Sequence, residues 1–232
     1  MGWRLKIGQA AGIDVFVHWT FLFAPLYVIY KSWQGSWAVM GIMMVLLVCF
    51  FACVLLHEFG HALAAKFFGI QTRDIIITPI GGLARLQGIS QQHPLQELVI
   101  SLAGPAVNLL LAFAFVAYLL LTSRDFVPDQ IDAFPQILLW ANMALCVFNL
   151  VPAFPMDGGR ILRSLLALFL PYTAATSFAA NLGRIFAILF VAFGIYVREF
   201  PFVLIGSFVF FAATAEMQFM RDLTITNVTK PD

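Results

Sequence analysis

Residues 53–65 read Cys53-Val54-Leu55-Leu56-His57-Glu58-Phe59-Gly60-His61-Ala62-Leu63-Ala64-Ala65. Two imidazoles and a carboxylate stand within five positions of an apolar run that begins near Ser36 and ends near Phe68. A run of that length and composition exceeds the ~20 residues needed to cross a bilayer. Placing an ionisable side chain inside such a run is costly and marks a functional position. The segment therefore carries two messages: lipid is the solvent, and something chemical happens at its inner end.

The rest of the chain agrees about the solvent. Hydrophobic residues make up 62% of the 232 positions and charged residues 11%, against about 25% charged in an ordinary soluble domain. Further apolar segments fall at roughly 13–33, 96–122, 136–151, 177–197 and 200–220, so with 36–68 about six transmembrane helices are expected. The fourth is short and runs into a proline-rich stretch. Net charge is +1, which leaves no basic field for nucleic acid. Cys49, Cys53 and Cys146 all lie in apolar runs, which argues against a disulfide framework. No short apolar run ending at a small-residue cleavage site follows Arg4 and Lys6, so the first apolar segment is expected to be retained.

Cytoplasmic loops are enriched in Lys and Arg. With both termini inside, the inner side collects nine basic residues, Arg4, Lys6, Lys66, Arg73, Arg85, Arg160, Arg163, Arg221 and Lys230. The outer side holds three, Lys31, Arg124 and Arg198, and the acidic Asp125, Asp129 and Asp132 fit an outer loop. Between the second and third segments, Ile75-Ile76-Ile77 is β-branched and Pro79-Ile80-Gly81-Gly82 is a turn signal, so a short membrane-associated β-hairpin is expected there. Such backbone is tolerated at membrane depth only inside protein or beside a wet cavity.

His57-Glu58-Phe59-Gly60-His61 is H-E-x-x-H. Residues four apart share a helix face, so both imidazoles can reach one metal, and Glu58 can address a water on that metal as general base. Zinc suits two histidines and a carboxylate with one position left open. The third ligand is sought in Asn149-Leu150-Val151-Pro152-Ala153-Phe154-Pro155-Met156-Asp157-Gly158-Gly159-Arg160, where two prolines break the helix. Asp157 reads either as a helix cap or as a ligand. Depth favours the ligand: at ~1.5 Å per residue from Ser36, His57 lies about 31 Å along its helix, near the inner edge of the hydrocarbon, and Asp157 follows a shorter span of the same direction. Cys49, Cys53, His57 and His61 form a ladder at spacing four, but its ~18 Å length excludes one shared ion, and the cysteines read as packing residues.

Taken together these motifs resemble the site-2 protease family of intramembrane metalloproteases. Gly12-Ile13, His18-Trp19, Pro79-Ile80-Gly81-Gly82 and Gly104-Pro105-Ala106-Val107-Asn108 belong to the same likeness, which weakens beyond about residue 170. The resemblance implies zinc held by His57, His61 and Asp157, Glu58 as catalytic base, and Asn149 facing the site. There Asn149 either holds the substrate strand or the oxyanion, or bonds unwound backbone as a buried asparagine. Asn108 reads as packing or bonding between helices. A transmembrane protein substrate would unwind and add as a strand to the hairpin. Many members carry PDZ domains or paired CBS motifs; neither fits in the 12 residues after Met220. Residues 1–222 are accordingly read as the protease core and 223–232 as a cytoplasmic tail. A multi-pass protein of the lipid bilayer results, and the small size suggests a prokaryotic cytoplasmic membrane. The competing reading is a non-catalytic metal-binding membrane protein or transporter, since polar sites on broken helices also mark transporters. His18 reads as interfacial, His93 as a loop or cap residue, and Arg184 either snorkels to the inner surface or meets a lipid phosphate.

Overall fold

A computed structural model describes residues 4–33, 35–79, 81–86, 93–127 and 133–228, with backbone alone for Pro201 and 219–228. Ile80, Asp129, Asp132 and Lys230 lie outside the described residues. Strands β1 (Arg4–Ala10) and β2 (Ile13–His18) lead through a 3-10 turn (Trp19–Leu22) into helices α1 (Phe23–Ser32) and α2 (Trp37–Phe67). Strands β3 (Thr72–Thr78) and β4 (Gly81–Leu86) follow, then α3 (Pro94–Leu121), α4 (Phe134–Asn149), α5 (Asp157–Leu166), α6 (Tyr172–Val197) and α7 (Phe200–Val228). Among the described residues, α2, α3 and α6 are long and apolar enough to cross a membrane, and Phe134–Asn149 and Phe202–Gln218 are shorter apolar helices. This is a membrane protein, mostly helical with one small sheet.

Two expectations change. The apolar segment 13–33 is not one helix: its first six residues are β2, and α1 has ten residues, about 15 Å of helix and half a hydrocarbon core. The reason lies in Ile13-Asp14-Val15-Phe16-Val17, whose alternating pattern buries Ile13 and Val15 on one face, which is strand periodicity. The hairpin, in turn, is half of a larger sheet. β3 and β4 pair antiparallel as anticipated, but β2 lies parallel to β3 and β1 antiparallel to β2, giving the order β1-β2-β3-β4.

By its internal contacts the chain divides into two units, Met1–Ile89 with Ala103–Cys146, and Ser90–Leu102 with Val147–Asp232. In the first, one face of the sheet packs on α2. Val15 and Ile77 meet Phe51 and Val54, while Ile13 and Ile75 meet Ala62. These α2 positions recur at helical spacing, so a single stripe covers the sheet. Ala112 and Leu119 of α3 pack with Leu139 of α4. Ser36 starts α2, its hydroxyl accepting from Val39 N at 3.3 Å, the usual work of a serine N-cap.

In the second unit small residues let helices approach. Ala179 and Ala180 of α6 and Ala213 of α7 pack with Phe154. A Cβ on Gly183 would stand 2.6 Å from Phe154 O, and one on Gly206 2.8 Å from Ala187 O. Without a hydrophobic drive between helices in lipid, such close approach supplies van der Waals packing that helps to hold them together. Arg184 is neither free nor lipid-paired by necessity: Nε donates to Thr214 Oγ1 and Nη1 to Asn181 Oδ1, each at 3.2 Å.

Asp74, on β3, is buried and accepts from Nε and Nη2 of Arg85 on β4 and from Nη1 of Arg4 on β1 at 3.0 Å. The Arg85 hydrogen bonds outweigh burial and, with the charges of Arg85 and Arg4, hold the Asp74 carboxyl below its ordinary value. A carboxylate with a depressed folded pKa stabilises the fold above its unfolded pKa of about 3.9, and that contribution is lost as pH falls through the folded value. Thermal unfolding in detergent from pH 7 to pH 3 should therefore show an acid-dependent loss that Asp74→Asn largely removes, with the variant less stable by about 2 kcal/mol at neutral pH.

Candidate metal centre

The centre is built first from helix geometry. His57 and His61 lie one turn apart on α2, both buried, with their Nε2 atoms 3.1 Å apart and rings nearly perpendicular at 83°. Two nitrogens bound at about 2.0–2.1 Å to one tetrahedral zinc would lie about 3.3 Å apart, so the pair is set for a shared ion. Asp157 opens α5 after the sequence Leu150 to Met156, where the helix is broken and the Phe154–Pro155 bond is cis. His57, His61 and Asp157 each offer a ligand atom, all within 4.8 Å of one another. Two imidazoles and a carboxylate, leaving room for a further ligand, are the donor set of a zinc site with an open position. The residues fit that ion.

Glycines decide how close the neighbours come. A Cβ on Gly104 of α3 would collide with Nε2 of His61 and stand 2.7 Å from Nε2 of His57, so α3 lies directly against the histidine pair. A Cβ on Gly60 would stand 2.7 Å from Ala103 O and 2.8 Å from Val107 Cγ2; the two helices touch backbone to backbone. In the second unit, Gly158 and Gly159 serve the turn before Asp157, since a Cβ on either would strike the chain at 150–154.

Glu58 is buried, next to His57 in sequence, and its Oε2 accepts from the backbone N–H of Ala84 on β4 at 2.9 Å. A Cβ on Gly82 would overlap the Glu58 side chain. The sheet thus reaches the candidate base through its own backbone, which explains Gly82; Gly81 instead supplies a positive φ of 149° at the start of β4. His57 Nδ1 is hydrogen-bonded to Asn108 Oδ1. Asn149 closes α4, half-buried. His18 caps the 3-10 turn, with Nδ1 accepting from Thr20 N, and His93 O accepts from the N–H groups of Gln96 and Glu97 at the start of α3.

One feature of the second unit was not legible in the sequence. Arg163, which the charge bias assigns to the inner side, is buried on α5 and donates to Glu97 on α3 and, at 2.6 Å, to Glu216 on α7. Tyr172 OH donates to Glu97 at 3.0 Å, and the guanidinium stacks 4.8 Å from the Phe154 ring. Residues 66 and 53 positions apart meet here, and no local spacing announces it. The cluster fixes α5, the helix whose first residue is Asp157, to its own unit.

Burial, apolar helices and a two-histidine, one-carboxylate metal group define a metalloprotein of the membrane. Comparison with known proteins narrows this. The profile of peptidase family M50 matches residues 45–133 and 124–193. A zinc metalloprotease of Methanocaldococcus jannaschii is 34% identical over 230 residues, covering 97% of this chain and 64% of its own length. Stage IV sporulation protein FB of Bacillus subtilis is 30% identical over 129 residues, covering 56% of this chain and 43% of its own length. Among solved structures, the site-2 protease from Methanocaldococcus jannaschii aligns with a TM-score of 0.70 and 32% identity over 93% of this chain and 95% of that one. The chain belongs to peptidase family M50 and has the site-2 protease fold. It spans about two-thirds or less of the length of these two sequence relatives.

Gly104→Ala should lower zinc content after purification by tenfold or more, because its methyl would overlap the histidine pair; metal analysis of detergent-solubilised protein checks this. Arg163→Met leaves Glu97 and Glu216 without their shared cation. It should destabilise the fold by about 3–5 kcal/mol, read as a lowered midpoint of thermal unfolding.

Proposed function

We propose that this chain is an intramembrane zinc metalloendopeptidase that hydrolyses peptide bonds in the transmembrane segments of membrane-tethered proteins, near the cytoplasmic face. The observation that carries this reading is Glu58. A metal group alone would serve a transporter, but here a buried carboxylate stands beside the two histidine ligands, held by Ala84 N–H at 2.9 Å. Its position in an M50 chain supports the role of general base.

In this mechanism His57, His61 and Asp157 would hold the ion. When bound, zinc supplies a Lewis acid that polarises a carbonyl and acidifies water. Glu58 takes a proton from the attacking water as its oxygen bonds to the scissile carbon, then delivers that proton to the departing amine nitrogen as the C–N bond breaks. The Ala84 N–H engages Oε2 and so leaves Oε1 to carry the proton. Asn149, at the end of α4, is assigned to holding the substrate strand or the developing oxyanion. A substrate helix must unwind before its carbonyl is accessible. β4 ends the sheet, and its N–H and C=O groups offer a template on which an unwound segment adds as a further strand.

The membrane arrangement is part of the proposal. α1 with its preceding turn and the two shorter apolar helices join α2, α3 and α6 to make six segments. Both termini are cytoplasmic on the Lys and Arg bias, and the membrane is a prokaryotic cytoplasmic one. Residues 1–222 form the protease core and 223–232 a cytoplasmic tail.

Glu58→Gln decides the matter. The variant should retain zinc at wild-type stoichiometry while cleavage of a reconstituted transmembrane substrate falls by at least about 1,000-fold. Asp157→Ala should lose the metal, and a zinc chelator should abolish wild-type cleavage. Full cleavage by Glu58→Gln, or zinc transport across vesicles without any cleavage, would refute the protease assignment.

A further inference from the structure

Asn108 and Asn142 are wholly buried, each at 0% exposure, on α3 and α4 in the first unit. Burying two carboxamides is expensive unless their hydrogen-bonding groups are paired. Here the pairing has a direction. Asn142 Nδ2 donates to Leu138 O at 2.8 Å and to Cys53 Sγ at 3.3 Å. A backbone carbonyl can only accept, so this contact fixes which end of the Asn142 amide is nitrogen. Asn142 Oδ1 is therefore the acceptor, taking a bond from Asn108 Nδ2 at 2.9 Å. That in turn fixes Asn108, whose Oδ1 is left facing His57 Nδ1. An amide oxygen cannot donate, so the proton of this bond belongs to His57.

From this chain of forced orientations we infer that Asn142 and Asn108 are positioning residues that hold His57 in its Nδ1–H tautomer, with the Nε2 lone pair directed at the metal. The inference rests on the zinc reading of the site. A backbone carbonyl on α4 sets the protonation of a ligand on α2 through two side-chain amides and without any ionisable group. A carboxylate, a backbone carbonyl or water usually does this work at histidine ligands; a side-chain amide does it here without adding charge to a site already holding Asp157. The inference also gives Cys53 a part: one turn before His57 on α2, it is the second acceptor that steadies Asn142.

A merely structural pair of asparagines would stabilise helix packing but leave the tautomer of His57 unaffected. The test is two-bond ¹⁵N–¹H correlation spectroscopy on the full chain in detergent, labelled with ¹⁵N-histidine, metal-free and at about pH 8. His18→Gln and His93→Gln leave only the signals of the ligand pair, and zinc titration gives Kd on the same samples. In the otherwise native protein, His57 should show a protonated Nδ1 and an unprotonated Nε2. Asn108→Leu and Asn142→Leu should shift the ring toward Nε2–H and weaken zinc binding by about 10–100-fold, Asn142→Leu less than Asn108→Leu. Observation of an Nε2–H ring at His57 in the native background would overturn the inference on its own, even if neither leucine variant folds. So would an unchanged tautomer and an unchanged zinc Kd in a folded Asn108→Leu. Both readouts use metal-free protein and zinc alone, so they decide the relay whether or not peptide cleavage is observed.

Discussion

The first unit depends on how closely α3 passes α2. Helices that cross with ordinary side chains between them stand about 8–10 Å apart. Gly60 and Gly104 remove the side chains at the crossing, and the main chain of α3 comes within reach of the imidazoles of α2. Two properties of the site depend on this approach. It leaves the space beside Nε2 to a ligand rather than to a methyl group, and it brings Asn108, one turn beyond Gly104, to the other nitrogen of His57. A bulkier crossing would separate the histidines from the groups that orient them.

The second recurring constraint is the cost of polarity in an apolar chain. With charged residues at 11%, each buried charge must be paired where it lies. Asp74 is bonded to Arg85 and Arg4 across three strands, and Arg163 to Glu97 and Glu216 across three helices. These clusters hold elements together at defined positions: one ties the sheet that carries Ala84 and the other the helix that begins with Asp157. Their contribution is to geometry more than to net stability, since an ion pair removed from water repays its desolvation only in part.

Much of this was legible in the sequence, for reasons that differ by element. The long apolar runs gave α2, α3 and α6 within a few residues because hydropathy acts locally along a helix. The grouping of His57 with His61 was legible because their spacing is a property of one helix turn, and Asp157 because the broken helix before it places it at the depth of that pair. β2 was missed: Ile13 to Val17 is apolar enough to pass as the start of a span, and only its period of two separates the readings. β3 and β4 were anticipated as a hairpin, yet the placing of β2 beside β3 could not be, because sheet order is set by long-range pairing. Asn108 was legible as bonding between helices, but its partners, and the roles of Asn142 and Arg163, were hidden for the same reason. Each is defined by residues 34 to 89 positions away, and a buried asparagine or arginine looks no different in a string of letters from an exposed one.

The bond from Ala84 N–H to Glu58 has a practical consequence for anyone mapping this protein by substitution. The group that orients the carboxylate is main chain, so it survives almost any exchange at position 84, and a side-chain scan would pass over the residue as inert. Only a change that deletes the amide hydrogen itself, such as proline or an ester linkage introduced by chemical synthesis, would reveal it. Part of the apparatus around the carboxylate is thus written in conformation, beyond the reach of a conventional genetic screen.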